Sequence, residues 1–127
     1  MPSRGTRTVA IVNDEQSLIE LLRFNLERRS YLVRAYTNTS DALDLIQDPA
    51  DVALIDRTNW PFDGLELYSR LRRSTAMPVV FLSTWAGTVP KELDRLGLPP
   101  AQGYIQCPFA LADVFETVRK VLDEARA

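Results

Sequence analysis

The sequence predicts a single α/β domain built on a parallel sheet. Short apolar runs alternate with helix-period segments, the pattern of strands joined by crossover helices. The runs are apolar at successive positions, as strands covered on both faces must be. The chain has 127 residues, the length of one domain, and can bury a core without metals or disulfides.

The first run, Thr8-Val9-Ala10-Ile11-Val12, reads as a buried strand. A helix follows from Gln16 to Arg29, with Leu18, Leu22 and Leu26 on one stripe. Tyr31 to Tyr36 reads as the second strand. Thr39 or Ser40 is expected to cap a short helix that buries Leu43 and Ile46 and closes at Pro49. Val52 to Ile55 is the third strand, and Asp63 to Arg73 the third helix, with Leu67 and Leu71 inward. Pro78 to Leu82 is the fourth strand, its proline at the entrance where it is tolerated. A weaker helix spans Val89 to Leu96 and ends at Gly97, Pro99 and Pro100. Gln102 to Gln106 is the fifth strand. In the last helix, Leu111 to Ala125, residues Leu111, Val114, Phe115, Val118 and Leu122 fall at helical spacing. The expected whole is a flavodoxin-like (βα)5 doubly wound parallel five-stranded sheet, strand order 2-1-3-4-5, filling residues 1–127 with its core from about 7 to 125.

Composition narrows the chemistry. The sequence holds no histidine, which removes histidine catalysis and histidine metal ligation. One cysteine, Cys107, rules out an internal disulfide and is compatible with a reducing cytosol. A net charge of −2 gives no general pull toward nucleic acid. Met1 to Thr8 lacks the apolar stretch of a signal peptide, and no run approaches membrane-spanning length. The expected location is cytoplasmic, with no direct contact to nucleic acid or membrane.

Ligand chemistry in open α/β sheets sits at the carboxyl ends of the strands. Asn13, Asp14 and Glu15 follow the first strand, Asp56 the third, Ser83 and Thr84 the fourth, and Cys107 and Pro108 the fifth. Strands one and three are neighbours in this order, about 4.8 Å apart, so Asp14 and Asp56 should face each other across one crevice. Paired carboxylates invite a cation, and oxygen ligands of this kind suit Mg²⁺. A carboxylate can also attack phosphorus. An acyl phosphate on Asp56, bridged by Mg²⁺ to Asp14, is the resulting hypothesis. The competing reading makes Asp14 a plain helix cap, Cys107 a small half-buried thiol and Tyr104 an edge-strand aromatic. Arg70, Arg72 and Arg73 read as a solvated helix face.

These strand ends resemble those of response-regulator receiver domains, over nearly the whole chain. Val12-Asn13-Asp14-Glu15 is similar to the family's acidic pair, and Asp56 through Phe62-Asp63-Gly64 to its phosphoacceptor segment. Met77-Pro78-Val79-Val80-Phe81-Leu82-Ser83 is similar to the strand ending in the switch hydroxyl. Tyr104-Ile105-Gln106-Cys107-Pro108-Phe109 is similar to the aromatic switch residue and the Lys-Pro-Phe segment. The resemblance implies a phosphoacceptor at Asp56 and a direct Mg²⁺ ligand at Asp14, with the Thr58 backbone carbonyl as third protein ligand. It also implies a phosphoryl-binding hydroxyl at Ser83 and a rotamer switch at Tyr104. The phosphodonor would be a histidine kinase or phosphotransfer protein. An output protein, or a second copy of the chain, would dock on the face of the fourth helix, fifth strand and fifth helix.

The match is atypical. Cys107 stands where the family has lysine and supplies no fixed positive charge. Asn13 replaces the first acid and would hold a metal only through water. Pro61 lies one position late, and Trp85 is placed to cover the site. Arg57 adjoins the acceptor, but strand alternation aims it away. Two functions follow: a phosphorylatable receiver, not an enzyme, in a two-component phosphorelay; or a pseudo-receiver that binds proteins without phosphorylation. A flavin carrier is disfavoured, because Asp14 and Glu15 would repel the flavin phosphate and no glycine-rich loop follows the first strand.

Overall fold

The structure is a computed structural model that describes residues 6–57 and 63–126. In chain order it contains β1 (Thr8–Val12), α1 (Gln16–Glu27), β2 (Leu32–Tyr36), α2 (Thr39–Ala42), α3 (Asp44–Gln47), β3 (Val52–Asp56) and α4 (Gly64–Ser74). There follow β4 (Val79–Ser83), a 3₁₀ turn (Ala86–Thr88), α5 (Val89–Arg95), β5 (Gly103–Gln106) and α6 (Leu111–Arg126). The strands form one sheet in the order β2-β1-β3-β4-β5, every pair parallel, as the sequence predicts.

Element boundaries move where local hydrogen bonding outcompetes periodicity. The first helix ends at Glu27, short of the expected Arg29. Ser30 turns left-handed (φ 73°), and the amides of Arg29 and Ser30 bond to the carbonyls of Leu26 and Glu27. Tyr31 spends its amide on the Leu26 carbonyl, so the second strand starts one residue later than expected. The second predicted helix is divided into α2 and α3, and the fourth and fifth predicted helices are therefore α5 and α6. Neither Thr39 nor Ser40 caps it: the Asn38 side chain accepts from the Asp41 amide at 2.7 Å. That phase buries Ala42 and Leu45 and leaves Leu43 and Ile46 half-buried.

Helices cover both faces of the sheet. On one face, Ile19, Leu22 and Leu26 of α1 and Val114, Val118, Val121 and Leu122 of α6 pack on Val9, Ile11, Leu54, Val80 and Leu82. On the other, Ala42, Leu45, Leu67, Tyr68, Leu71, Val89 and Leu93 pack on Ala10, Val12, Ala53, Ile55, Val79 and Phe81. Alternate residues of each strand thus feed different cores. One expectation about the surface fails. Arg72 is half-buried, with its guanidinium 5.0 Å from the Tyr68 ring centroid and donating to the Met77 carbonyl. Its position one helical turn after Tyr68 carries it onto that ring, and burial lowers its pKa.

Candidate phosphoacceptor site

The strand register sets the site at the sheet's carboxyl rim. Val12 pairs with Ile55, so Asn13 stands level with Asp56 and Asp14 lies one residue further out. Asn13 is buried, and its Oδ1 accepts from the Glu15 amide at 2.8 Å, folding the chain into the start of α1. One lone pair of that oxygen is left for a water. Glu15 is the N-cap residue of α1, without a side-chain cap. Asp14 is therefore not the helix cap of the competing reading; it sits exposed at the crest of the turn.

Asp56 ends β3 with only 4% of its surface exposed. On its other side it pairs in register with Leu82, and the next amide, Arg57, donates to the Leu82 carbonyl at 2.8 Å. A close backbone approach supports it from below. A Cβ on Gly64 would lie 2.4 Å from the Asp56 carbonyl oxygen, so only glycine lets α4 start there. Asp63 caps that helix, its Oδ1 accepting from the Glu66 amide at 2.9 Å. Thr58 and Pro61, the expected carbonyl ligand and the displaced proline, lie outside the described residues.

Ser83 is buried at the end of β4. Its Oγ accepts from the Trp85 amide at 2.9 Å, and its carbonyl accepts from the Cys107 amide at 2.8 Å. The hydroxyl proton is left to donate. Cys107 is half-buried against the α1/α6 core. Its thiol pKa is pushed up first by burial and then by the charge of Asp56, opposed by a hydrogen bond with the Ser83 backbone. The Asp56 carboxylate and the thiol therefore lie within electrostatic reach of one another, and the thiol is neutral at ordinary pH.

Other residues face the opposite side of the sheet. Arg57 reaches Glu92 of α5 (Nη2 to Oε2, 2.9 Å), as strand alternation predicts. Tyr104 stacks on Phe81, ring centroids 6.5 Å apart and planes 15° from parallel. Its hydroxyl accepts from the Ala101 amide at 2.9 Å, which anchors the ring inward. Trp85, the residue expected over the site, is 73% exposed. The sequence reading passed over Gln106, whose carboxamide bonds the loop after β4. A polar side chain closing an otherwise apolar strand was the available signal.

The donor set suits a hard cation. Among the described residues no three Asp, Glu, Cys or His side chains form a cluster. Mg²⁺ does not need one, since it binds through one or two carboxylates and retains waters. Asp14, Asp56 and the oxygen of Asn13 are the oxygen groups that could supply such ligands. No described helix is long and apolar enough to cross a membrane.

Comparison with known proteins agrees with this geometry. The family described as "Response regulator receiver domain" matches residues 9–119. Among solved structures, a CheY-like receiver domain protein from Methanospirillum hungatei superposes with a TM-score of 0.82 at 21% identity, over 94% of this chain and 96% of that one. The non-phosphorylated HemR receiver domain from Leptospira biflexa gives 0.78 at 24% identity, over 91% and 94%. TrrA from Thermotoga maritima, in complex with Mg²⁺ and a beryllofluoride, gives 0.77 at 21% identity, over 91% and 98%. With Asp56 ending β3, Ser83 ending β4 and this sheet order, the chain belongs to the response-regulator receiver domains of two-component signalling.

Proposed function

We propose that this domain accepts a phosphoryl group on Asp56 from a histidine kinase or phosphotransfer protein and passes the change to a protein-binding face. The observation that carries the reading is the buried Asp56 carboxylate at the central strand end, beside Asn13 and the buried Ser83 hydroxyl. An Asp56 oxygen attacks phosphorus, the P–O bond forms, and the P–N bond to the donor's imidazole breaks, its electron pair leaving with the ring. Asp14, Asp56 and the Thr58 carbonyl would hold Mg²⁺, with Asn13 binding through water. The ion supplies positive charge to the phosphoryl oxygens when bound. Ser83 donates its hydroxyl proton to the phosphoryl group, and Tyr104 moves with the loop after β4. The output partner, a protein or a second copy, docks on α5, β5 and α6. The domain works in the cytoplasm as a phosphoprotein and turns over no substrate of its own.

The second reading, a pseudo-receiver, is favoured by one observation. The thiol beside Asp56 is neutral and offers the phosphoryl group no cation. Incubation with acetyl phosphate and Mg²⁺, followed by intact-mass measurement, separates the two. A gain of one acid-labile phosphoryl group, absent from Asp56→Asn, is expected. A gain retained in Asp56→Asn would show that another residue is the acceptor. No gain in the wild type would leave the pseudo-receiver reading in its place.

A further inference from the structure

We propose that Gln106 is a positioning residue that latches the loop between β4 and α5, which starts at Thr84 directly after Ser83. Gln106 is the last residue of β5 and pairs in register with Ser83. Its Oε1 accepts from the Ala86 amide at 3.1 Å, while its Nε2 donates to the carbonyls of Thr84 at 2.6 Å and Cys107 at 3.0 Å. One carboxamide thus grips the loop on both sides of Trp85. The loop adds its own bonds: the Trp85 amide to Ser83 Oγ, and the Thr88 amide and hydroxyl to the Trp85 carbonyl. The following helix continues directly from this segment.

The grip needs an amide. It must donate to a carbonyl and accept from an N–H at the same place, which neither a hydrocarbon nor a carboxylate can do. A rearrangement of Ser83 and Thr84 that reaches α5 must first break these bonds. Gln106 therefore sets the threshold for transmission from the strand ends to the α5–β5 face. That consequence rests on the function proposed above; the latch itself does not.

The test uses amide hydrogen exchange by NMR, without any phosphodonor, on wild type, Gln106→Val and Gln106→Glu. In Gln106→Val the Ala86 and Trp85 amides should exchange roughly five to ten times faster, with α1 and α6 unchanged. In Gln106→Glu the carboxylate still accepts from Ala86, so protection there is kept. Only the Trp85 amide, in the same peptide unit as the Thr84 carbonyl, should speed up. This split is not expected of a residue that merely fills space. Wild-type exchange at both amides in both variants would overturn the latch. Titration with Mg²⁺ and beryllofluoride then tests the consequence: shifts at Tyr104 and along α5 should be larger in Gln106→Val than in wild type. Equal shifts in the two would overturn the threshold role. Absence of any shift at Asp56 and Ser83 in either protein would instead overturn the phosphoacceptor reading, leaving the exchange result to stand.

Discussion

Replacing Cys107 by lysine should restore a strong response to a phosphoryl group. Cys107 is half-buried, and the charge of the 4%-exposed Asp56 reaches its sulfur. An ammonium grown from the same Cβ would meet that carboxylate and any phosphoryl group it carries. A hydrogen bond to a charged group contributes about 1.5–3 kcal/mol. A modification shifts an equilibrium only by its differential interaction with the two states. A contact of about 2 kcal/mol made chiefly in the phosphorylated state would bias the switch by roughly thirtyfold. The assay adds Mg²⁺ and beryllofluoride to both proteins and follows the backbone resonances of Ser83, Thr84 and Tyr104. Wild type should shift feebly and Cys107→Lys strongly. A full response in wild type, unchanged by the lysine, would mean that another group already balances the phosphoryl charge, and the reasoning would fail.

Three further outcomes are expected. Because burial and Asp56 both raise the Cys107 pKa, its alkylation should be slow at neutral pH and accelerate only above the usual thiol range. Asp56→Asn removes the charge, lowers that pKa and should speed the reaction at fixed pH; an unchanged or slower rate would place the thiol outside the acceptor's field. Gly64→Ala should cost about 1–3 kcal/mol of stability in urea unfolding, because the new methyl would sit 2.4 Å from the Asp56 carbonyl; a neutral result would mean the start of α4 can slide. The Arg57–Glu92 pair is one-third and one-quarter exposed on its two side chains, so a double-mutant cycle with Arg57→Leu and Glu92→Gln should give a coupling of only about 0.2–1 kcal/mol.

The sheet was legible because its strands are apolar at successive positions, a signal that survives any boundary error. The rim residues Asn13, Asp14, Asp56, Ser83 and Cys107 were legible for a related reason: topology alone puts strand ends together. Side-chain hydrogen bonding was harder to foresee. Asn38 took the cap from Thr39 and Ser40, and with it moved the buried positions to Ala42 and Leu45. Arg72 looked like surface because charge alone does not reveal that its guanidinium lies over the Tyr68 ring. Gln106 could be placed on a face by alternation, but its targets belong to a loop whose course no periodicity encodes.

The division of strand residues between two cores has a consequence for how information travels. Asp56, two residues on from Leu54, and Cys107 belong to the α1/α6 side, whereas Arg57, Tyr104 and Gln106 act on the α5 side. Between them stand close-packed strands with no room to rearrange. If Asp56 is modified as proposed, the change would pass around the strand ends rather than through that wall. Ser83 is one place where both sides meet, its carbonyl held by the Cys107 amide and its hydroxyl by the Trp85 amide. Among the described residues, Ser83 and the step from Asp56 to Arg57 are two points at which the compartments touch.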